Sequence, residues 1–184
     1  MALKATIFKA DLQIADMDRN YYAGHALTLA RHPSETDERM MVRLLAFALH
    51  AHEALSFGEG LSTEDTPDLW QKDLTGAIEL WIDVGLPEEK LLRRACGRAK
   101  RVIVYCYGSG AEIWWNQNGA RLERNRNLMV IRLPAPVTKA LAGLAARNMK
   151  LHCTIHDGQI SMADENEIVQ VEVVKVKEQA TSLR

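Results

Sequence analysis

The 184-residue sequence lacks the features of membrane proteins and of disulfide-stabilised proteins. No segment reaches the roughly 20 consecutive apolar residues that a membrane helix needs. The first residues, MALKATIFKADLQ, contain no apolar run of signal-peptide length. The three cysteines, Cys96, Cys106 and Cys153, form no CxxC pair, so neither a disulfide framework nor a structural zinc site is expected. We therefore predict a cytoplasmic protein with no membrane partner and with buried free thiols.

Several common catalytic and nucleotide-binding signatures are also missing. The sequence contains no P-loop, no GxGxxG or GxSxG motif and no Cys–His nucleophile pattern. It has no internal repeat, low-complexity tract or linker, and its 47% apolar and 26% charged residues are ordinary for a soluble globular protein. One domain over residues 1–184 is the expected organisation.

Charge is distributed unevenly although the net charge is only −1. Residues 90–150 contain thirteen basic and two acidic residues, a net +11, so the rest of the chain carries −12. This asymmetry is typical of a surface that binds a polyanion. Alternatively, the two segments mix in the folded protein and neutralise each other.

Apolar patterns predict a single mixed β-sheet flanked by helices. The strongest patterns fall into a hairpin, a helix, a strand–helix–strand crossover, further elements and a late strand. The predicted elements begin with a hairpin over 3–16 and 23–32 and a helix over 33–55 with a capping box at Ser34. The crossover follows over 77–84, 86–100 and 101–108. The remaining elements are a short helix and loop over 109–127, a strand over 128–134, a helix over 135–148, a hairpin around Asp157-Gly158 over 151–164, and the late strand over 166–179.

The strand over residues 77–84 carries acidic residues in an apolar run, AIELWIDV. Alternation in a strand places Glu79, Trp81 and Asp83 on one face. Burying an unpaired carboxylate is unfavourable, so these acids must reach solvent, donors or a cation such as Mg²⁺. Asp68 supplies another carboxylate if residues 68–76 turn back and pair with this strand.

The order of these features resembles the core of the PD-(D/E)XK nuclease superfamily, which has the order αβββαβ. The stretch PDLWQKDLTGAIELWIDVGLP, residues 67–87, is similar to the YaeQ family of bacterial proteins, and this resemblance spans essentially the whole chain. It implies a compact α/β, restriction-endonuclease-like domain with extra strands at both termini, and a nuclease-like activity.

Carried over residue by residue, Pro67-Asp68 matches the PD element of the superfamily. Asp83-Val84-Gly85 matches (D/E)-X-K with glycine in the lysine position, and a second alignment, Glu79-Leu80-Trp81, puts tryptophan there. Both alignments lack the lysine. Lys100, at the end of the following helix, is its candidate replacement, and Glu38 is the counterpart of an acid on the first helix.

The resemblance implies metal-assisted hydrolysis of phosphodiesters. Asp68, Glu79 and Asp83 would hold Mg²⁺ or Mn²⁺, with Glu38 nearby, and a metal-bound water would attack. Lys100 would stabilise the hydroxide or the developing negative charge. Basic residues between 90 and 132 would bind nucleic acid.

The missing lysine and the near-zero net charge favour a second interpretation. In it, the protein keeps the nuclease-like fold as an inactive nucleic-acid-binding module. A regulatory module that binds a protein partner is a further alternative. We expect a monomer in each case.

Overall fold

The computed structural model describes residues 4–59 and 65–180. Contacts divide the chain into two compact units. Unit 1 is the described part of Met1–Leu49 with Ala135–Glu172, and unit 2 is the described part of His50–Pro134 with Val173–Arg184. The expectation of one domain over residues 1–184 stays a prediction.

Eleven strands and four helices follow one another in the described residues. In chain order they are β1 (Thr6–Asp16), β2 (Tyr21–Arg31), α1 (Asp37–Leu49), β3 (Leu55–Phe57), β4 (Leu69–Lys72), β5 (Ile78–Val84), α2 (Glu89–Arg98), β6 (Ala99–Tyr107), α3 (Ala111–Leu122), β7 (Leu128–Leu133), α4 (Ala135–Gly143), β8 (Asn148–His156), β9 (Gln159–Ala163), β10 (Ile168–Val171) and β11 (Val174–Lys177).

Unit 1 contains a five-stranded mixed sheet in the order β10-β9-β8-β1-β2. Strand β1 pairs antiparallel with β2 and parallel with β8. Side chains of β1 alternate between buried and exposed, so one face of the sheet covers the core and the other faces solvent. The predicted hairpins are confirmed, although Leu3 lies outside the described residues. Asp157 and Gly158 have φ of 49° and 74°, as a type I′ turn requires.

Helix α1 begins later than its sequence pattern indicated. The N–H of Arg39 donates to the Thr36 hydroxyl at 3.1 Å, so Thr36 caps the helix and the predicted capping box at Ser34 is wrong. The Ser34 hydroxyl instead contacts His32 Nδ1 at 2.7 Å. The helix ends at Leu49, and a turn follows in which the Leu55 N–H donates to the carbonyl of His52.

Unit 2 contains a six-stranded mixed sheet in the order β11-β7-β6-β5-β4-β3. Strands β5, β6 and β7 are parallel and are connected through α2 and α3, which confirms the predicted crossover. Residues 80–84 of β5 are all buried, as in a parallel strand covered on both faces. Helices α2 and α3 cover the face that carries Trp81, Val102 and Val104.

The prediction of one central sheet is wrong, since the strands form two mixed sheets. The late strand predicted over residues 166–179 is also interrupted. It divides at residues 172–173 into β10, which pairs with β9, and β11, which pairs with β7. The alternating pattern shows that each half is extended and half-buried, but it does not identify a pairing partner.

Candidate functional site

The pairing of β4 with β5 brings Asp68 to the end of β5 that carries Asp83. Trp70 and Trp81 are directly opposite in the antiparallel register. The ladder ends with Leu69 opposite Ile82, and Asp68 and Asp83 are the residues next to this pair at the carboxyl end of β5. The condition stated for Asp68, that residues 68–76 turn back and pair with this strand, is therefore met.

The carboxylate of Asp68 is attached to the end of β5. Its side chain is fully buried, and Oδ2 accepts a hydrogen bond of 2.7 Å from the backbone N–H of Val84. A carboxylate acceptor makes this a strong, charge-assisted hydrogen bond. Because the Val84 nitrogen is only two covalent bonds from the Asp83 Cα, Asp68 is held against the backbone of Asp83.

The carboxylate of Asp83 is oriented by its neighbour on the same strand face. The indole Nε1–H of Trp81 donates to Asp83 Oδ2 at 3.0 Å, and the two residues are 2% and 5% exposed. The Trp81 ring packs edge-to-face against Trp70, with centroids 6.2 Å apart. On α2, the Arg98 guanidinium lies 5.2 Å from the centre of the Trp81 ring. Sequence analysis placed Trp81 on this face but did not identify its donor role or the contact with Arg98.

Glu79 and Lys100 form a separate ion pair. Lys100 Nζ donates to Glu79 Oε1 at 2.5 Å, with the two side chains 64% and 29% exposed. The hydrogen bond to Glu79, and then its negative charge, raise the pKa of Lys100. Glu79 precedes Asp83 by four residues, about 13 Å along a strand. The structure therefore does not bring this pair together with Asp68 and Asp83.

Glu38 has a structural contact within unit 1. Its Oε1 accepts a hydrogen bond of 2.8 Å from the hydroxyl of Thr138, which is fully buried. This bond joins α1 to α4, which pack together. The contact accounts for an acid in the first turn of α1 without a catalytic role.

Gly85 occupies the lysine position of the motif in a backbone conformation that favours glycine. Its φ is 108°, a region that residues with a Cβ rarely adopt. Its N–H donates to the carbonyl of Tyr105 at 2.9 Å, which fixes this turn at the end of β5. The local backbone thus gives a physical reason for glycine at this position.

The carboxylates of Asp68 and Asp83 are the acidic groups at the carboxyl end of β5. Among residues 4–59 and 65–180, no group of three or more His, Cys, Asp or Glu side chains could hold a metal ion. Mg²⁺, however, is often bound through one or two carboxylates, with water and substrate phosphate completing its shell. A carboxylate can accept about four hydrogen bonds, so the bonds from Val84 and Trp81 are compatible with coordination. Asp68 and Asp83 are therefore the two carboxylates that such a cation would have at this end of β5, and Glu79 is not one of them.

Basic side chains form a row on α2 beside this region. Lys90, Arg94 and Arg98 are exposed and recur every four residues, so they lie about 6 Å apart along one side of the helix. Arg94 and Arg98 line a surface groove with Asp65 and Gly97. Ten of the thirteen basic residues of the 90–150 segment belong to unit 2, and the other three belong to unit 1.

Comparison with known proteins identifies the family of this α/β protein. The family model described as YaeQ protein matches residues 1–173. The chain belongs to the YaeQ family, which confirms the resemblance seen in residues 67–87. Two curated relatives are named Uncharacterized protein YaeQ. The one from Salmonella typhi is 45% identical over 94% of this chain and 96% of its own length, and the one from Escherichia coli K12 is 44% identical over 93% and 95%.

Solved structures of the family have the same fold. The YaeQ protein from Xanthomonas axonopodis pv. citri has a TM-score of 0.90 at 49% identity, covering 96% of this chain and 99% of that chain. The YaeQ protein from Pseudomonas syringae has a TM-score of 0.90 at 34% identity, covering 95% and 97%. In the described part of this chain, no helix combines the length and apolarity needed to span a membrane.

Proposed function

We propose that the protein is a Mg²⁺- or Mn²⁺-dependent nuclease-like protein that hydrolyses phosphodiesters of nucleic acid. The observation that carries this proposal is the hydrogen bond from the Val84 N–H to Asp68, which holds this carboxylate beside Asp83 at the carboxyl end of β5. Both side chains are at least 95% buried, yet both are carboxylates at the two acidic positions of the PD-(D/E)XK pattern. A divalent cation bound between two adjacent carboxylates would reduce their mutual repulsion.

Placement in the PD-(D/E)XK superfamily is part of the same proposal. The chain order α1, β3, β4, β5, α2, β6 matches the order αβββαβ, and β5 and β6 are parallel neighbours. Extra strands precede and follow this series. These similarities support the proposal through topology and the positions of the acids.

Each residue of the site has a distinct role in this proposal. Asp68 and Asp83 hold the divalent cation, which when bound polarises phosphate and lowers the pKa of a water ligand. The Val84 N–H and the Trp81 indole keep the two carboxylates in position. Arg98 binds the phosphate backbone through charge-assisted hydrogen bonds. We assign no role to Lys100, because it lies beside Glu79, which is about 13 Å along the strand from Asp83.

A second candidate function is nucleic-acid binding without hydrolysis. Two observations favour it: Gly85 stands in the lysine position, and Lys100 is paired with Glu79. This function uses the basic row of α2 and does not require a metal-bound nucleophile. A regulatory role through a protein partner is the remaining alternative.

Metal titration tests the site directly. Calorimetry with Mg²⁺ and Mn²⁺ compares the wild type with Asp68→Asn, Asp83→Asn and the double variant, and Glu79→Gln serves as the matched control. Asparagine keeps an oxygen for the Val84 or Trp81 donor while removing the charge. We expect at least tenfold weaker binding in each aspartate variant and no change in the control. Wild-type affinity in the double variant would remove the basis of the proposal.

A cleavage screen separates the two functions. Single-stranded, double-stranded and structured DNA and RNA are incubated with Mn²⁺ and with each of these proteins. Cleavage by the wild type and by Glu79→Gln, but not by the aspartate variants, is the expected result. Binding without cleavage would select the second function, and the absence of both would reject nucleic acid as the ligand.

A further inference from the structure

Three of the four sheet edges in the described residues have features that discourage pairing with another strand. Strand β3 has only three residues. Strand β10 has four residues and lies between Glu167 and Glu172. Strand β11 also has four residues, two of them lysines, and its pairing with β7 contains a register shift. Short strands, charges and bulges are the usual devices that protect an edge. Strand β2, the fourth edge, has eleven residues and differs from the others.

The β2 edge, Tyr21–Arg31, contains none of these protective devices. Residues 21–30, YYAGHALTLA, include no proline and no Lys, Arg, Asp or Glu, and Arg31 is at the end. All eleven residues pair with β1 in one unbroken register, so the strand has no bulge. Side chains at every second position from Tyr22 to Ala30 are exposed.

Little else in the described chain contacts the backbone of this strand. Among residues 4–59 and 65–180, one side chain outside the β1 pairing donates to the backbone of β2. It is the guanidinium of Arg43, which lies 3.2 Å from the Ala30 carbonyl oxygen. In an antiparallel pair about half of the backbone groups point away from the partner strand. Such a row of donors and acceptors is a template for another strand.

We propose that β2 pairs antiparallel with β2 of a second copy of this chain, across a two-fold axis at Ala26. On the exposed face, Tyr22 then lies opposite Ala30 of the second copy, and Gly24 lies opposite Thr28. Each larger side chain meets a smaller one, and Ala26 meets its own equivalent.

The other face of the strand is self-complementary in the same register. Arg31, the charge at the end of the strand, lies opposite the aromatic ring of Tyr21 from the second copy, so no like charges oppose each other. His25 and Ala23 lie opposite leucines of the second copy. A two-fold interface requires one surface to complement itself, and β2 satisfies that requirement in sequence.

The number of hydrogen bonds is sufficient for a specific dimer. An antiparallel pair of eleven-residue strands forms on the order of ten backbone hydrogen bonds, comparable to the roughly ten of a typical protein interface. The two five-stranded sheets become one ten-stranded sheet. A dimer formed in this way replaces the expected monomer and does not depend on the proposed nuclease function.

Charge substitutions at Ala26 test the two-fold axis. Size-exclusion chromatography with light scattering measures the mass of the wild type, Ala26→Lys, Ala26→Glu and a control variant. The control is His152→Lys, which adds a charge to the same face of the sheet but on the inner strand β8. We expect dimers for the wild type and the control, and monomers for each Ala26 variant because like charges become directly opposed. Mixing the lysine and glutamate variants should restore a dimer.

Three outcomes would overturn the proposal. They are a monomeric wild type at every concentration, a dimer that survives Ala26→Lys, and folded Ala26 variants that do not associate when mixed. Circular dichroism establishes folding. If either charged variant fails to fold, Ala26→Cys provides the test, since paired Cα atoms about 4.5–5.5 Å apart are within disulfide range. Oxidation should cross-link Ala26→Cys but not the wild type, and equal cross-linking of the two would also reject the pairing.

Discussion

Replacing Asp68 separates its structural contribution from its proposed metal ligation. In Asp68→Ala, the buried N–H of Val84 loses the acceptor that now lies 2.7 Å away. A hydrogen bond to a charged group contributes about 1.5–3 kcal/mol, and an unsatisfied buried donor costs about 1–3 kcal/mol. We therefore expect a loss of about 2–3 kcal/mol in the free energy of unfolding. For a chain of 150–250 residues this corresponds to a decrease in Tm of roughly 4–12 °C.

The matched variant Asp68→Asn keeps an oxygen acceptor for Val84. We expect it to lose less than about 1 kcal/mol, because the neutral hydrogen bond is weaker but still present. Both variants should lose metal binding. All four tryptophans belong to unit 2, so urea denaturation followed by tryptophan fluorescence reports on the unit that contains Asp68.

The alanine variant provides the decisive comparison. If Asp68→Ala were as stable as the wild type to within about 0.5 kcal/mol, the hydrogen bond would not support β5 as described. If Asp68→Asn were instead as unstable as Asp68→Ala, the charge rather than the acceptor would be the stabilising feature.

Three other substitutions test the surroundings of the site. Trp81→Phe removes the donor to Asp83 and should weaken Mn²⁺ binding severalfold in calorimetry, and an unchanged affinity would show that the indole does not position the carboxylate. Arg98→Gln should reduce the slope of log affinity against log salt by about one in nucleic-acid titrations, whereas Lys139→Gln, in unit 1, should not change it. Glu79 on β5 raises the pKa of Lys100. The pair therefore stabilises the fold fully below the ordinary lysine pKa, and this stabilisation is lost as pH rises through the raised pKa of Lys100. Lys100→Met should therefore remove part of the alkaline loss of stability in denaturation measured against pH, and identical profiles would contradict this contribution.

Local sequence patterns predicted most of the individual elements. The alternation of AIELWIDV placed Trp81 and Asp83 on one strand face, and their side chains are hydrogen-bonded. The Asp157-Gly158 turn was recognisable because few residue pairs adopt positive φ at two successive positions. The contribution of Asp68 was conditional on residues 68–76 turning back onto this strand, and the pairing of β4 with β5 meets that condition.

Pairings between distant segments could not be derived in this way. Strand β1 pairs with β8 more than a hundred residues later in the chain, and alternation in each strand is compatible with many partners. The predicted position of Lys100 near Asp83 differs from the observed one for a related reason. Lys100 was expected at the end of the helix after β5, but α2 ends at Arg98 and Lys100 is the second residue of β6. The side chain therefore emerges near the amino end of β5, next to Glu79, and not near Asp83.

Gly85→Lys tests which alignment of the motif is correct. The substitution places an amine two residues after Asp83, where the superfamily pattern has lysine. An added Cβ meets no atom within 4 Å, so the main cost is the φ of 108°, about 1–3 kcal/mol for a residue other than glycine. Gly85→Ala is the matched control because it carries the same backbone strain without the amine. We expect Gly85→Lys to cleave nucleic acid faster than Gly85→Ala in the presence of Mn²⁺, with similar stability of the two variants. Equal rates would show that position 85 is not the lysine position. The alternative alignment through Glu79 would then remain. It requires a carboxylate about 13 Å along the strand from Asp83 to bind the same metal.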